Sequence, residues 1–133
     1  MLSAAALERV GPLDEAYFFS FEDADWCARA RRAGFGLAVV LGAVARHGEN
    51  RTLPAESPER LYYAARNHLR AVERLLPLSG PAGLVRGARI VVLSLAHALT
   101  QRSVPRLAGA RAVLRGVVDY RRNRFGPAHG RQA

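Results

Sequence analysis

Three carboxylates, Glu22, Asp23 and Asp25, fall directly behind an apolar run of Tyr17, Phe18, Phe19 and Phe21. A helical pattern follows them and stops at Gly34. Carboxylates at a helix start beside a hydrophobic wall suit two tasks. They satisfy the unpaired amides and the positive end of the first turn, or they offer a base to a substrate in a partly dry pocket. Capping is the commoner use of such residues, and the residue types leave both open. Further along stand His47, in a loop pattern, and Arg66–Asn67, close to the paired Tyr62–Tyr63. Taken alone, a loop histidine is a solvated or locally hydrogen-bonded residue, and the tyrosines and arginine read as packing and surface charge.

The elements that must hold these residues follow from cap and stop signals. Ser3 caps a short helix that runs to about Val10, with Leu7 and Val10 facing inward, and Gly11–Pro12 ends it. Residues 16–21 read as an extended aromatic segment. A second helix covers about 23–33, and Gly34 supplies a left-handed stop. Leu37 to Leu41 is a continuous apolar run with valines, the pattern of a buried strand. Ser57–Pro58–Glu59 opens a third helix that runs to about Leu76, where Pro77 and Gly80–Pro81 break the pattern. Its apolar stripe is Leu61, Ala65, Leu69, Val72 and Leu76, with Arg60, Arg70 and Arg74 off the stripe. Helices over about 82–101 and 105–124 complete the chain, and the tail from Gly126 reads as frayed.

Composition narrows the class. Half of the 133 residues are hydrophobic and the mean hydropathy is -0.05, so the chain reads as globular rather than disordered. The formal charge is +9, and all 20 basic residues are arginines, the side chain that pairs best with phosphate. That charge suits a diphosphate, an anionic membrane surface or nucleic acid, but no nucleic-acid-binding motif accompanies it, so no nucleic acid is expected. The single cysteine, Cys27, excludes an internal disulfide, in keeping with a cytoplasmic location. The uncharged apolar stretch Ile90 to Thr100 falls short of the ~20 residues needed to cross a bilayer. The face of Leu84, Ala88, Val91, Val92, Leu95 and Leu99, flanked by Arg86, Arg89 and Arg102, suits a core or a peripheral helix in the lipid interface.

Taken together, Leu7–Glu8–Arg9–Val10–Gly11, Leu13–Asp14–Glu15, Phe18–Phe19, Glu22–Asp23–Ala24–Asp25, Arg29, Arg31, Gly34 and His47 resemble the acceptor-side half of family-2 glycosyltransferases. These are inverting enzymes of the GT-A fold. Tyr62–Tyr63 and Arg66–Asn67 are similar to the segment that follows in the rhamnosyltransferase-like branch, and the resemblance covers roughly residues 1–75. It implies transfer of a sugar from a nucleotide-sugar donor to a cell-envelope polysaccharide or lipid-linked acceptor. It makes Asp23 the base that takes the acceptor proton, and places Glu22 and Asp25 at the acceptor, with Asp25 more a structural residue than a contact. His47 becomes a ligand of a divalent cation, Mn or Mg, and Arg66 and Asn67 become contacts to donor phosphates or acceptor.

The sequence departs from that family in one large respect. No strand–helix series and no Asp-x-Asp motif precede Asp23, so the donor-binding half is expected from elsewhere: a longer chain or a partner chain. The expected architecture is an α/β fragment, predominantly helical. Residues 1–56 form the acceptor-side part of a GT-A domain, 57–125 a helical region and 126–133 a frayed tail. The competing reading is a non-enzymatic, basic, amphipathic helical module that binds a membrane surface or a partner protein.

Overall fold

The computed structural model describes residues 2–44, 53–54 and 56–128. Its elements are α1 (Ala4–Val10), α2 (Glu22–Arg32), α3 (Pro58–Leu75), α4 (Gly80–Thr100) and α5 (Arg106–Arg121). Local chemistry sets their ends. The Ser3 hydroxyl accepts the Ala6 N–H at 3.2 Å, and Gly11 leaves α1 with φ 81. Ser57 accepts the Glu59 N–H at 3.1 Å, with proline in the first turn of α3. Gly34, at φ 90, turns the chain away from α2. Gly80–Pro81 starts α4 as well as separating it from α3, because proline lacks the N–H that a first turn leaves unpaired.

Helices α3, α4 and α5 pack around Leu61, Ala65, Ala98, Val104 and Val113. A second cluster joins α1 to α2 through Ala6, Trp26 and Ala30, with Val10, Cys27 and Phe35 at its edge. Leu7 lies outside it and is exposed, so Ala6 takes the inward place expected of Leu7. A third cluster sets Leu53, Tyr62 and Tyr63 against Phe18, Phe19 and Ala128.

Two expectations fail. Residues 37–41 form no strand, and Leu41 is 94% exposed. A strand needs a neighbour for its N–H and C=O groups, and no other strand lies among the described residues, so the described fold is helical rather than α/β. The tail, in turn, is not frayed from Gly126. The Gly126 N–H donates to Ala16 O at 2.8 Å, and the Ala128 N–H donates to the Tyr63 hydroxyl at 2.7 Å. Residues 125–128 therefore pack on the first part of the chain, across the boundaries drawn from sequence.

The α3–α5 crossing is tight at Gly116, where a Cβ would sit 2.5 Å from Tyr62 O and 3.3 Å from Arg66 N. Backbone cannot yield as a flexible side chain can. Gly116→Ala is expected to destabilise the fold by about 1–3 kcal/mol, the usual range for overpacking. Urea unfolding checks it, and a midpoint equal to the parent's would mean that the two helices are not in such close contact.

Candidate functional site

The carboxylate triplet is held by an unusual turn. Phe18, Ser20 and Phe21 have φ of 60, 64 and 74, a left-handed conformation that costs a non-glycine residue on the order of 1–3 kcal/mol. The extended aromatic segment expected over 16–21 is therefore a coil of turns. The cause lies on α3. Asn67 Nδ2 donates to Tyr17 O at 2.8 Å, Phe19 O at 2.6 Å and Ser20 O at 3.3 Å. Arg66 Nη2 donates to Ala16 O at 3.3 Å and Tyr17 O at 3.0 Å. Carbonyls of an extended strand alternate in direction, so gathering these four onto two adjacent side chains requires the chain to coil.

Arg66 is 1% exposed and Asn67 is fully buried. Arg66 also donates to Gly126 O at 2.8 Å, to the Tyr62 hydroxyl at 3.2 Å and to Asn67 Oδ1 at 2.9 Å. Its guanidinium lies 4.9 Å from the Tyr63 ring centroid and 5.6 Å from that of Phe125. With their donors spent on the fold, neither side chain faces a phosphate or an acceptor. In place of the contact expected of them, the described fold shows both side chains bound to the loop before Glu22. The Tyr62 hydroxyl donates in turn to Asp119 at 2.9 Å. Burial, followed by this bond to Asp119, pushes the Tyr62 phenol above its ordinary value. Sequence reasoning passed over Asp119, although it is the sole carboxylate after Glu73, a signal that one acid has a specific partner.

Asp25 is 1% exposed. Its Oδ2 accepts Arg29 Nε–H at 2.8 Å, and its Oδ1 takes the Tyr17 O–H at 3.4 Å with Arg74 Nε 3.6 Å away. Both oxygens of Asp25 are thus engaged within the fold. Burial and then the Asp25 charge push the Tyr17 phenol up to about 12. Arg29 continues to Val10 O and Pro12 O at 2.7 and 2.9 Å, and Trp26 Nε1 donates to Gly11 O at 2.8 Å. The start of α2 is thereby fixed to the end of α1. Asp14 adds a second tie, pairing with Arg70 at 2.9 Å and with Arg74 at 2.5 Å. Burial pushes Asp14 up, but bonds from Arg70, Ala16 N–H and Arg74 outweigh it and hold the carboxyl below its ordinary value.

The other two carboxylates differ. Asp23 is exposed in the first turn of α2, with Oδ1 accepting the Ala24 N–H at 2.7 Å. Glu22 is half-buried, and its enclosed Oε2 has no hydrogen-bond partner among the described residues. It lines a cleft of about 410 Å³ with Leu13, Asp14, Glu15, Phe18 and Pro127. No side chain caps α2, since Phe21 occupies the N-cap position. The structure thus brings Glu22 and Asp23 to one exposed helix start, and withdraws Asp25, Arg66 and Asn67 into its support. His47 lies outside the described residues. Among those described, no three His, Cys, Asp or Glu side chains converge to hold a metal ion.

Phe21 stacks on His68 of α3, with ring centroids 5.3 Å apart and planes 17° apart. Burial lowers the His68 imidazole below its ordinary 6.5. The unfolded chain then takes up the proton first, so folding stability falls as pH drops through 6.5 toward the lower folded value. The Asp14 loss is separate, beginning only near the carboxylate range. His68→Gln is expected to flatten the dependence of the urea midpoint between about pH 7.5 and 5.5, and an equal slope in parent and variant would place the titrating group elsewhere.

In comparisons with known proteins, no protein-family model and no solved structure matches this chain. A dTDP-rhamnosyl transferase of Shigella flexneri is 30% identical over 105 residues, covering 73% of this chain and 34% of that protein. The chain is similar in sequence to a glycosyltransferase, and spans about a third of that relative's length.

Proposed function

We propose that this segment forms the acceptor side of an inverting sugar-transfer site of the GT-A type, with Asp23 as the base. The observation that carries the reading is the contrast within the acidic triplet, in a chain 30% identical to a rhamnosyl transferase over 105 residues. Asp25 is consumed by the fold, whereas Asp23 stands exposed on a helix start held by the buried Arg66–Asn67 pair. Strained turns that the surrounding structure over-determines gather at sites needing fixed geometry.

In the proposed step the acceptor hydroxyl oxygen attacks the anomeric carbon of the donor sugar. Its proton passes to the Asp23 carboxylate, and the bond to the nucleoside diphosphate breaks with the electron pair leaving on the phosphate oxygen. Glu22, which lines the cleft, accepts a hydrogen bond from the acceptor glycan or lipid-linked sugar. A donor-binding half, in the same polypeptide or in a partner chain, supplies the nucleotide pocket. The name of the relative makes dTDP-rhamnose the first donor to try.

The test is turnover of nucleotide-sugars by these residues joined to a donor-binding half, in parent and Asp23→Asn forms. Nucleoside diphosphate released with acceptor by the parent and lost in the variant supports the reading. Absence of release by the parent across a panel of nucleoside-diphosphate sugars and glycan acceptors sinks it.

A further inference from the structure

The charge of this protein is segregated along the chain. Residues 1–73 hold nine arginines and ten carboxylates, whereas residues 74–133 hold eleven arginines and one aspartate, the buried Asp119. From 74 to 118, through all of α4 and most of α5, there is no carboxylate at all. A preference for arginine over lysine does not explain the missing acids. The same helices expose their apolar residues. On α4, Val85, Val92 and Leu93 are each at least 60% exposed, and Leu84 reaches 75%. On α5, Leu107, Leu114 and Val118 are exposed as well.

Helical spacing sorts these residues. Val85, Arg89, Val92 and Ala96 recur at i, i+4, i+7 and i+11, as do Leu107, Arg111, Leu114 and Val118. Each helix thus carries an outward apolar stripe with an arginine as its second member, while Ile90, Leu95 and Ala98 pack α4 inward. An arginine among exposed aliphatics can bury its stem beside them and lift its guanidinium to a phosphate.

We propose that the outward face of α4, extended by the arginines of α5, docks on an anionic lipid surface. An aliphatic stripe without carboxylates, embedded in positive charge, complements a layer with phosphate above and acyl chains below. Helix α4 is also long and apolar enough to cross a bilayer, with 21 residues and a hydropathy of 1.4. Crossing would place Arg86 and Arg89 toward hydrocarbon and strip Ala98 and Leu95 from the core they share with Leu61 and Val113. Lying in the interface keeps both the core and the charges satisfied. The proposal stands apart from sugar transfer.

Flotation with vesicles tests it, comparing phosphatidylcholine alone with a mixture rich in phosphatidylglycerol. The parent chain is expected to float with the anionic vesicles and to partition less as salt rises, since each arginine near the surface contributes roughly fivefold. Val92→Glu with Leu93→Glu should lower partitioning at least about tenfold at unchanged helix content, since both side chains are solvent-facing. Failure of the parent to float, or equal flotation of the variant, overturns the proposal. So does a salt-insensitive affinity that is the same for both vesicle types. A dimer in sedimentation that this variant dissolves, without flotation, assigns the face to a second copy instead. Resistance of bound protein to alkaline extraction would replace docking with spanning.

Discussion

Asp23→Asn is expected to leave fold and donor binding intact while removing about 10²–10⁴-fold of sugar transfer, the usual contribution of a general base. Asparagine matches aspartate in shape, and its carbonyl oxygen can still accept the Ala24 N–H that Asp23 Oδ1 now accepts at 2.7 Å. It cannot take up the acceptor proton. Asp23 is exposed and has no ion pair among the described residues, so the substitution strips the described fold of little. Asp25→Asn supplies the contrast. It breaks the 2.8 Å pair with Arg29 in a site that is 1% exposed, and should lower the unfolding midpoint before it lowers turnover. Rates and unfolding midpoints measured together separate the two. An Asp23→Asn rate within about threefold of the parent, well short of the expected range, would remove Asp23 from the chemistry. Loss of turnover in Asp25→Asn at parental stability would reverse the two assignments.

What the sequence revealed was mainly local. Ser3, Ser57–Pro58, Gly34 and Pro77 mark helix ends through backbone chemistry that acts within one turn, and all five helices fall near their expected places. The strand over 37–41 was misplaced because a strand is defined by its neighbour, and sequence pattern does not say whether that neighbour is present. The coil at 16–21 was misread for a related reason. Phe18, Ser20 and Phe21 have no intrinsic preference for positive φ; the conformation is imposed by Arg66 and Asn67, nearly fifty residues away. Those two were singled out as contacts to a phosphate or an acceptor, a role that faces outward, since arginine and asparagine are mostly exposed. The sequence cue that points inward is the pair of tyrosines one helical turn earlier, whose rings form the wall on which the guanidinium lies. For Glu22 and Asp23, the acidic run marked the location. Asp25 was already read as the more structural of the three, but its partners were not legible, because burial depends on where Tyr17, Arg29 and Arg74 arrive in space.

Arg66→Met is expected to be the most destabilising single change in the described fold, by about 3–5 kcal/mol, a large part of the stability of a small domain. Methionine approximates the length of the stem and preserves much of the packing against Tyr62, Tyr63 and Phe125, but supplies no donor. Gly126 O loses its 2.8 Å partner, Ala16 O and Tyr17 O each lose one, and Tyr62 O–H keeps only Asp119, now without the nearby cation. The effect should exceed simple loss of hydrogen bonds because the same contacts hold three left-handed residues in place. Released, residues 16–21 can relax toward extended backbone, which would free Phe125–Ala128 from Ala16 and Tyr63. Arg66→Lys keeps the charge but not the fork that reaches Gly126, Ala16 and Tyr17 at once, and should fall between parent and methionine. Urea unfolding ranks the three, and hydrogen exchange at the Gly126 and Ala128 amides reports whether the tail detaches first. An unfolding midpoint for Arg66→Met equal to the parent's, with both amides still protected, would show that the loop holds its shape without the Arg66 guanidinium, and the positioning role would pass to Asn67 alone.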